Sequence, residues 1–203
     1  ARRCQEIGIR ASFMEYFADD GIAFKPEPFR YTETVKTLPP QPNPKAIQLK
    51  WEPQSAGIAA SGELGFTTGP SVRTDLTAAD KPKGYGQFFS VWKKQKDGTW
   101  RVAVDIGTQM PSQSSPLGNP CNEPIKPKWR QVSDNVSAAD RRSTIMKLER
   151  EFSEACAAEG TLKAYLLRVE DNTRLHRQNQ LPIVGKKAIE AHLRKEPQVS
   201  SWS

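Results

Sequence analysis

The chain has 203 residues, of which 36% are hydrophobic and 26% charged, a composition that excludes both a disordered and a membrane-embedded class. No apolar run approaches the ~20 residues a bilayer crossing needs, and no hydrophobic stretch follows the opening Ala1-Arg2-Arg3-Cys4, so a signal peptide is absent or already removed and the compartment stays open. The net charge of +7 is spread evenly, with 15 Lys+Arg against 12 Asp+Glu up to residue 110 and 15 against 11 beyond it, which argues against the concentrated basic face of a nucleic-acid binder.

The elements run in an α+β order. A short helix carrying Ile9, Phe13 and Phe17 leads through the Asp19-Asp20-Gly21 turn to a brief strand, Ile22-Ala23-Phe24, which Lys25-Pro26-Glu27-Pro28 ends. Residues 31–38 form a small helix. Strands are expected at 46–52, 55–60 and 63–73, then as a pair, 85–96 with 99–108, joined by the Asp97-Gly98 turn. Residues 111–135 hold five prolines among Ser, Asn and Gly with no apolar period, a linker composition.

After the linker, Ser137 and Asp140 have the spacing of a capping box, and Ile145, Leu148, Phe152 and Cys156 recur at helical spacing until Gly160. A second helix at 161–169, a polar strand at 173–178 and a third helix from Lys186 to Arg194 follow. This order repeats the beginning of the chain at an offset of 152 residues: Cys4 falls opposite Cys156, Gly8 opposite Gly160, Phe13 opposite Tyr165, Asp19 opposite Asp171 and, after a slip of one, Trp51 opposite Trp202. A period this long means a duplicated domain, with copy one at 1–110 and copy two at 136–203. Ala1 then corresponds to Ser153, inside a helix, and Ser203 stops where copy two should begin its sheet; the chain reads as a piece cut inside structural units at both ends.

Helices followed by a long, bent antiparallel sheet leave a cone whose mouth suits a ligand. Phe17-Ala18-Asp19-Asp20-Gly21-Ile22-Ala23-Phe24, Ala60-Ser61-Gly62-Glu63-Leu64-Gly65-Phe66-Thr67-Thr68-Gly69 and Val91-Trp92-Lys93-Lys94-Gln95-Lys96-Asp97-Gly98-Thr99-Trp100-Arg101-Val102 resemble the nuclear-transport-factor-two-like superfamily, above all its ketosteroid-isomerase-like, SnoaL-like bacterial branch. The resemblance implies a cone-shaped fold that hosts isomerases, cyclases, dehydratases and non-catalytic binders. It also implies a carboxylate base after the first strand, yet Lys25 stands there, and Arg177 in copy two. A cation protonated at neutral pH abstracts no proton, which disfavours steroid-isomerase chemistry by that mechanism.

On the hairpin, Tyr85, Gln87 and Phe89 share one face and Phe88, Ser90 and Trp92 the other, and only one face points inward. The expected lining of the pocket is Tyr16, Trp51, Tyr85, Gln87, Phe89 and Asp105. Trp51, Trp92 and Trp100 also read economically as core. Asp105 interrupts an apolar strand and is the candidate catalytic acid or base, although alternation sets it on one side with Arg101 as a surface pair. Cys4 and Cys156 read as small buried hydrophobes, His176 as a core ring in place of Phe24, and Asp19-Asp20 as a turn. Cys121 has no activating partner. No metal site or cofactor is indicated, because the three cysteines lack any C-x-x-C spacing. The expectation is a small-molecule-binding domain for an apolar or amphipathic ligand; the alternatives are a SnoaL-like isomerase, cyclase or dehydratase, and a protein-interaction module that pairs as a homodimer or through its two copies.

Overall fold

The computed structural model describes residues 1–111 and 137–196. The chain divides into two compact units, Ala1–Lys128 with His176–Leu181, and Trp129–Leu175 with Pro182–Ser203. The proline-rich linker after Pro111, Cys121 and Trp202 lie outside the described residues.

The first unit opens with two short helices, α1 (Arg2–Ile7) and α2 (Ile9–Tyr16), hinged at Gly8. Gly8 has φ 87° and ψ 163°, a region essentially closed to residues with a Cβ, and an added Cβ would lie 2.4 Å from the carbonyl oxygen of Pro44. The chain continues through β1 (Phe17–Phe24), β2 (Pro28–Arg30) and α3 (Tyr31–Thr37). It then runs into β3 (Ile47–Trp51), β4 (Ser55–Ile58), β5 (Leu64–Asp75), β6 (Lys83–Lys94) and β7 (Trp100–Met110).

These strands form one curled, open sheet in the order β2-β1-β7-β6-β5-β3, with β4 also paired to β5. All pairings are antiparallel except β1 with β7. β3 and β4 use the same edge of β5 in succession, and the step between them crosses Gly69, where a Cβ would sit 1.9 Å from the Glu52 carbonyl oxygen.

In this unit two elements differ from the sequence expectation. β1 starts at Phe17 instead of Ile22, because Phe17 pairs in parallel with Val102; the pairing then slips through Asp19-Asp20-Gly21 and resumes at Ile22 opposite Val104. Pro28 opens an additional strand, β2, whose partner is β1 alone, and on such an edge proline's missing N–H costs no ladder bond.

The helices pack on the sheet through Phe17, Ala23 and Val102, with Phe13, Phe29, Tyr31 and Trp92 against them. Phe17 stacks on Tyr31 at 4.4 Å between ring centroids, and Phe13 meets Trp51 edge-on at 6.0 Å. Such pairs contribute about 0.5–1.5 kcal/mol each beyond the area they bury.

The second unit begins with α4 (Ala138–Glu159), capped where the Ser137 hydroxyl accepts the Asp140 N–H at 3.1 Å. Gly160, at φ 86° and ψ 148°, turns the chain into α5 (Thr161–Leu166). The polar strand is only β8 (Arg174–Leu175), paired antiparallel with β9 (Ile183–Val184), and Gly185 at φ 90° opens α6 (Lys186–Leu193). Among the described residues of this unit, Cys156, Ala164, Ile189 and Leu193 are the buried apolar side chains. Phe152 meets Tyr165 at 5.0 Å, and the Arg168 guanidinium lies 5.2 Å from the centre of the Phe152 ring.

Candidate functional site

A cavity of about 500 Å³ lies in the first unit between its helices and the concave face of the sheet. That volume falls within the ~300–1,000 Å³ of ordinary small-molecule sites. Six aromatic side chains line it: Phe13, Tyr16 and Phe17 from the α2–β1 segment, Trp51 from β3, and Phe88 and Trp92 from β6.

Strand alternation explains the β6 contribution, because Phe88, Ser90 and Trp92 are successive inward residues. On β5, Thr67 and Ser71 share that face, opposite Ser90 and Gly86 in the ladder. On β7 the alternation breaks. Val91 pairs with Val104 but Trp92 with Val102, so Ala103 is an extra residue, and the bulge brings both Val102 and Asp105 to the cavity.

The same bulge removes the expected pairing of Asp105 with Arg101. Arg101 donates instead to the main-chain carbonyl of Glu15. Asp105 accepts a 2.5 Å hydrogen bond from the Ser90 hydroxyl, directly across the ladder. Burial pushes the Asp105 carboxyl above its usual range, and the Ser90 bond, which favours the ionised form, only partly offsets this. Among the described residues no cation forms an ion pair with it.

Most of the other polar groups of the lining are already partnered. Trp92 Nε1 donates to Thr67 Oγ1 at 3.0 Å. The Ser12 hydroxyl lies 3.1 Å from the Ile9 carbonyl and 2.6 Å from Cys4 Sγ, where either the hydroxyl or the thiol can donate. Burial raises the Cys4 thiol, consistent with packing rather than nucleophilic use. Behind the cavity wall, Tyr31 is pushed up to about 12, first by burial and then by nearby negative groups including Asp105, against the opposing effect of Arg10.

Of the expected lining residues, Tyr16, Trp51 and Asp105 come together here. Tyr85, Gln87 and Phe89 do not line the cavity. They alternate with its β6 residues and so stand on the opposite face, where Gln87 Nε2 donates to Thr68 Oγ1 at 3.2 Å and Phe89 stacks on Phe66 at 5.5 Å. Lys25 is exposed at the end of β1, outside the lining, its N–H bonded to the Glu27 carbonyl. Residues missing from the sequence expectation include the other hairpin face, Phe13 and Phe17, Val102, Thr67 and Ser71 of β5, and the Cys4–Ser12 pair. Alternation contains the hairpin face as one of two equal choices, and the helix–glycine–helix turn was the only signal for the Cys4–Ser12 pair.

Among the described residues no group of three or more His, Cys, Asp or Glu side chains is arranged to hold a metal ion. No described helix is long and apolar enough to cross a membrane.

No family model matches the chain, and no curated protein matches it. Solved structures similar to it include an NTF-2-like protein of unknown function from Shewanella oneidensis, at 17% identity and a TM-score of 0.39 over 52% of this chain and 87% of that one. The CaMKII hub of S. rosetta matches at 12% identity and a TM-score of 0.40, over 53% of this chain and 87% of that one. A ketosteroid isomerase-like protein from Erwinia carotovora atroseptica matches at 14% identity and a TM-score of 0.37, over 53% and 82%. Likeness at this level carries no argument about activity, which has to come from the cavity itself.

Proposed function

We propose that the first unit binds a small, partly apolar molecule in its cone, with Trp51, Phe88 and Trp92 as the apolar contacts and Tyr16 and Asp105 as the polar ones. The observation that carries this reading is one half-buried carboxyl, bonded to Ser90, at the wall of a 500 Å³ aromatic cavity. Aromatic walls supply nonspecific affinity, and a single convergent polar group supplies orientation. Titrating the chain with amphipathic probes while following tryptophan emission tests it. Saturable quenching that Phe88→Ala weakens by ~10-fold or more supports the reading; no saturable response overturns it.

A catalytic reading, as an isomerase, cyclase or dehydratase of the SnoaL-like sort, is favoured by the same carboxyl, because burial moves it toward the range where a general acid works. Turnover of a panel of hydrophobic ketones that Asp105→Asn abolishes supports it. Binding without turnover in the parent chain removes it.

The tandem reading, of a second copy after the linker, is supported by matched turns. Gly8 and Gly160 share a positive φ, 87° and 86°, and each N–H bonds a buried cysteine carbonyl four residues back, Cys4 at 3.0 Å and Cys156 at 3.1 Å. The residue four positions on, Ser12 or Ala164, is buried in both.

A further inference from the structure

We propose that the preferred occupant of the cavity is an organic ammonium: a partly apolar molecule whose single positive charge sits at Asp105 among the aromatic side chains. This rests on the ligand-binding reading above and adds the chemical class of the ligand.

The hydrogen bonds at Asp105 itself favour a ligand group that brings donors. The Trp92 N–H is spent on Thr67 and the Ser90 O–H on Asp105. Around Asp105 the wall therefore offers acceptors: the second carboxylate oxygen and the lone pairs of Ser90. The Tyr16, Thr67 and Ser71 hydroxyls of the lining can donate to a ketone, so what singles out a cation is the carboxylate charge, which also repels an anion.

Charge balance points the same way. A half-buried carboxyl with no ion-paired cation is a destabilised anion, and a ligand cation restores it while Ser90 holds one oxygen in place. The six lining rings add cation–π attraction for a desolvated ammonium, a term a neutral ligand of the same shape does not have. Arg2 and Arg3 also line the cavity, but Arg3 is held by Glu15 at 2.6 Å and Glu6 at 3.1 Å, and Arg2 is exposed to screening solvent.

Besides Asp105, the Ala1 amine lines the cavity and is pulled below its usual range by burial, so the comparison with Asp105→Asn is what assigns the pH dependence to Asp105. Ser90 on β6 does not ionise in the accessible range, Tyr31 on α3 stays protonated to about 12, and burial keeps the Cys4 thiol of α1 protonated at neutral pH. Arg10 acts on Tyr31 as a nearby positive charge, lowering its pKa against burial.

The test is calorimetric titration of the full chain with four probes of one shape: phenylbutylamine, phenylbutyltrimethylammonium, phenylbutanol and phenylbutanone. The two ammonium probes should bind about tenfold or more tighter than the alcohol and the ketone. Asp105→Asn should remove that advantage, so that the ammonium probes bind no tighter than the alcohol. Affinity for the trimethylammonium probe, which has no proton of its own, should rise with pH through the raised pKa of Asp105 and release protons to the buffer, while alcohol affinity stays flat. Equal or tighter binding of the alcohol or ketone in the parent chain overturns the ammonium preference and leaves the binding reading standing; this comparison needs no variant to fold. Failure of all four probes to bind overturns both.

Discussion

The Ser90 hydroxyl donates to Asp105 Oδ1 at 2.5 Å across the rung that joins β6 to β7, where the two residues are direct partners in the ladder. It is the one interaction resolved as drawing the carboxyl's pKa down against burial. Ser90→Ala should therefore raise that pKa further, and destabilise the unit by about 1–3 kcal/mol if the carboxyl is left ionised and unpartnered. A carboxyl NMR titration of Asp105 checks this; an unchanged midpoint contradicts it.

Asp105→Asn should change how stability depends on pH. The folded pKa lies above the ordinary 3.8, so between the two values the folded state holds more protons than the unfolded one. The stability contributed by the protonated group is fully present below 3.8 and lost as pH rises through the folded pKa. The asparagine variant lacks this loss, so its urea midpoint should fall less than the parent's between acid and neutral pH. Parallel curves for the two proteins would contradict the assignment.

Tyr31 makes a related prediction at the alkaline end. Its pKa rises from 10.0 to about 12, so its contribution is complete below 10.0 and lost as pH climbs through about 12. In a phenolate absorbance titration, Tyr31→Phe should remove a step near 12. Loss of a step near 10 instead would place the ring in water.

Gly8→Ala should destabilise the first unit by about 1–3 kcal/mol from backbone strain alone, and the approach of its Cβ to within 2.4 Å of the Pro44 carbonyl adds to that cost. Denaturant unfolding measures it. A change below ~0.5 kcal/mol would mean that the turn relaxes freely.

Phe17→Ala should cost about 3–5 kcal/mol, since the ring is buried, stacks on Tyr31 and belongs to the cluster that joins helices to sheet. A loss below ~1 kcal/mol would show that the cluster is not the anchor of the fold.

The hairpin of β6 and β7 is legible in the sequence because Asp97-Gly98 marks the turn and Gly98 adopts φ 83°, which a β-carbon resists. The helix over 31–37 and the cap at Ser137 are legible for similar local reasons. The phase of the sheet is not. Tyr85-Gln87-Phe89 and Phe88-Ser90-Trp92 are nearly equal mixtures of aromatic and polar side chains, and alternation alone leaves the choice of inward face open. Tertiary packing decides it, with Gln87 and Phe89 taken up by Thr68 and Phe66. The bulge at Ala103 is silent in sequence as well, since no glycine marks it; the parity of Asp105 relative to Arg101 depends on that one unpaired residue. The start of β1 at Phe17 was hidden for a third reason: its partner, Val102, lies 85 residues away.

The most direct measurement is a filtered NOE experiment on the chain with bound phenylbutyltrimethylammonium. Cross-peaks from the probe to the ring protons of Phe88 and Trp92 are the predicted result. Cross-peaks to Tyr85 and Phe89, with none to Phe88 or Trp92, would put the ligand on the other face of the sheet and contradict the account.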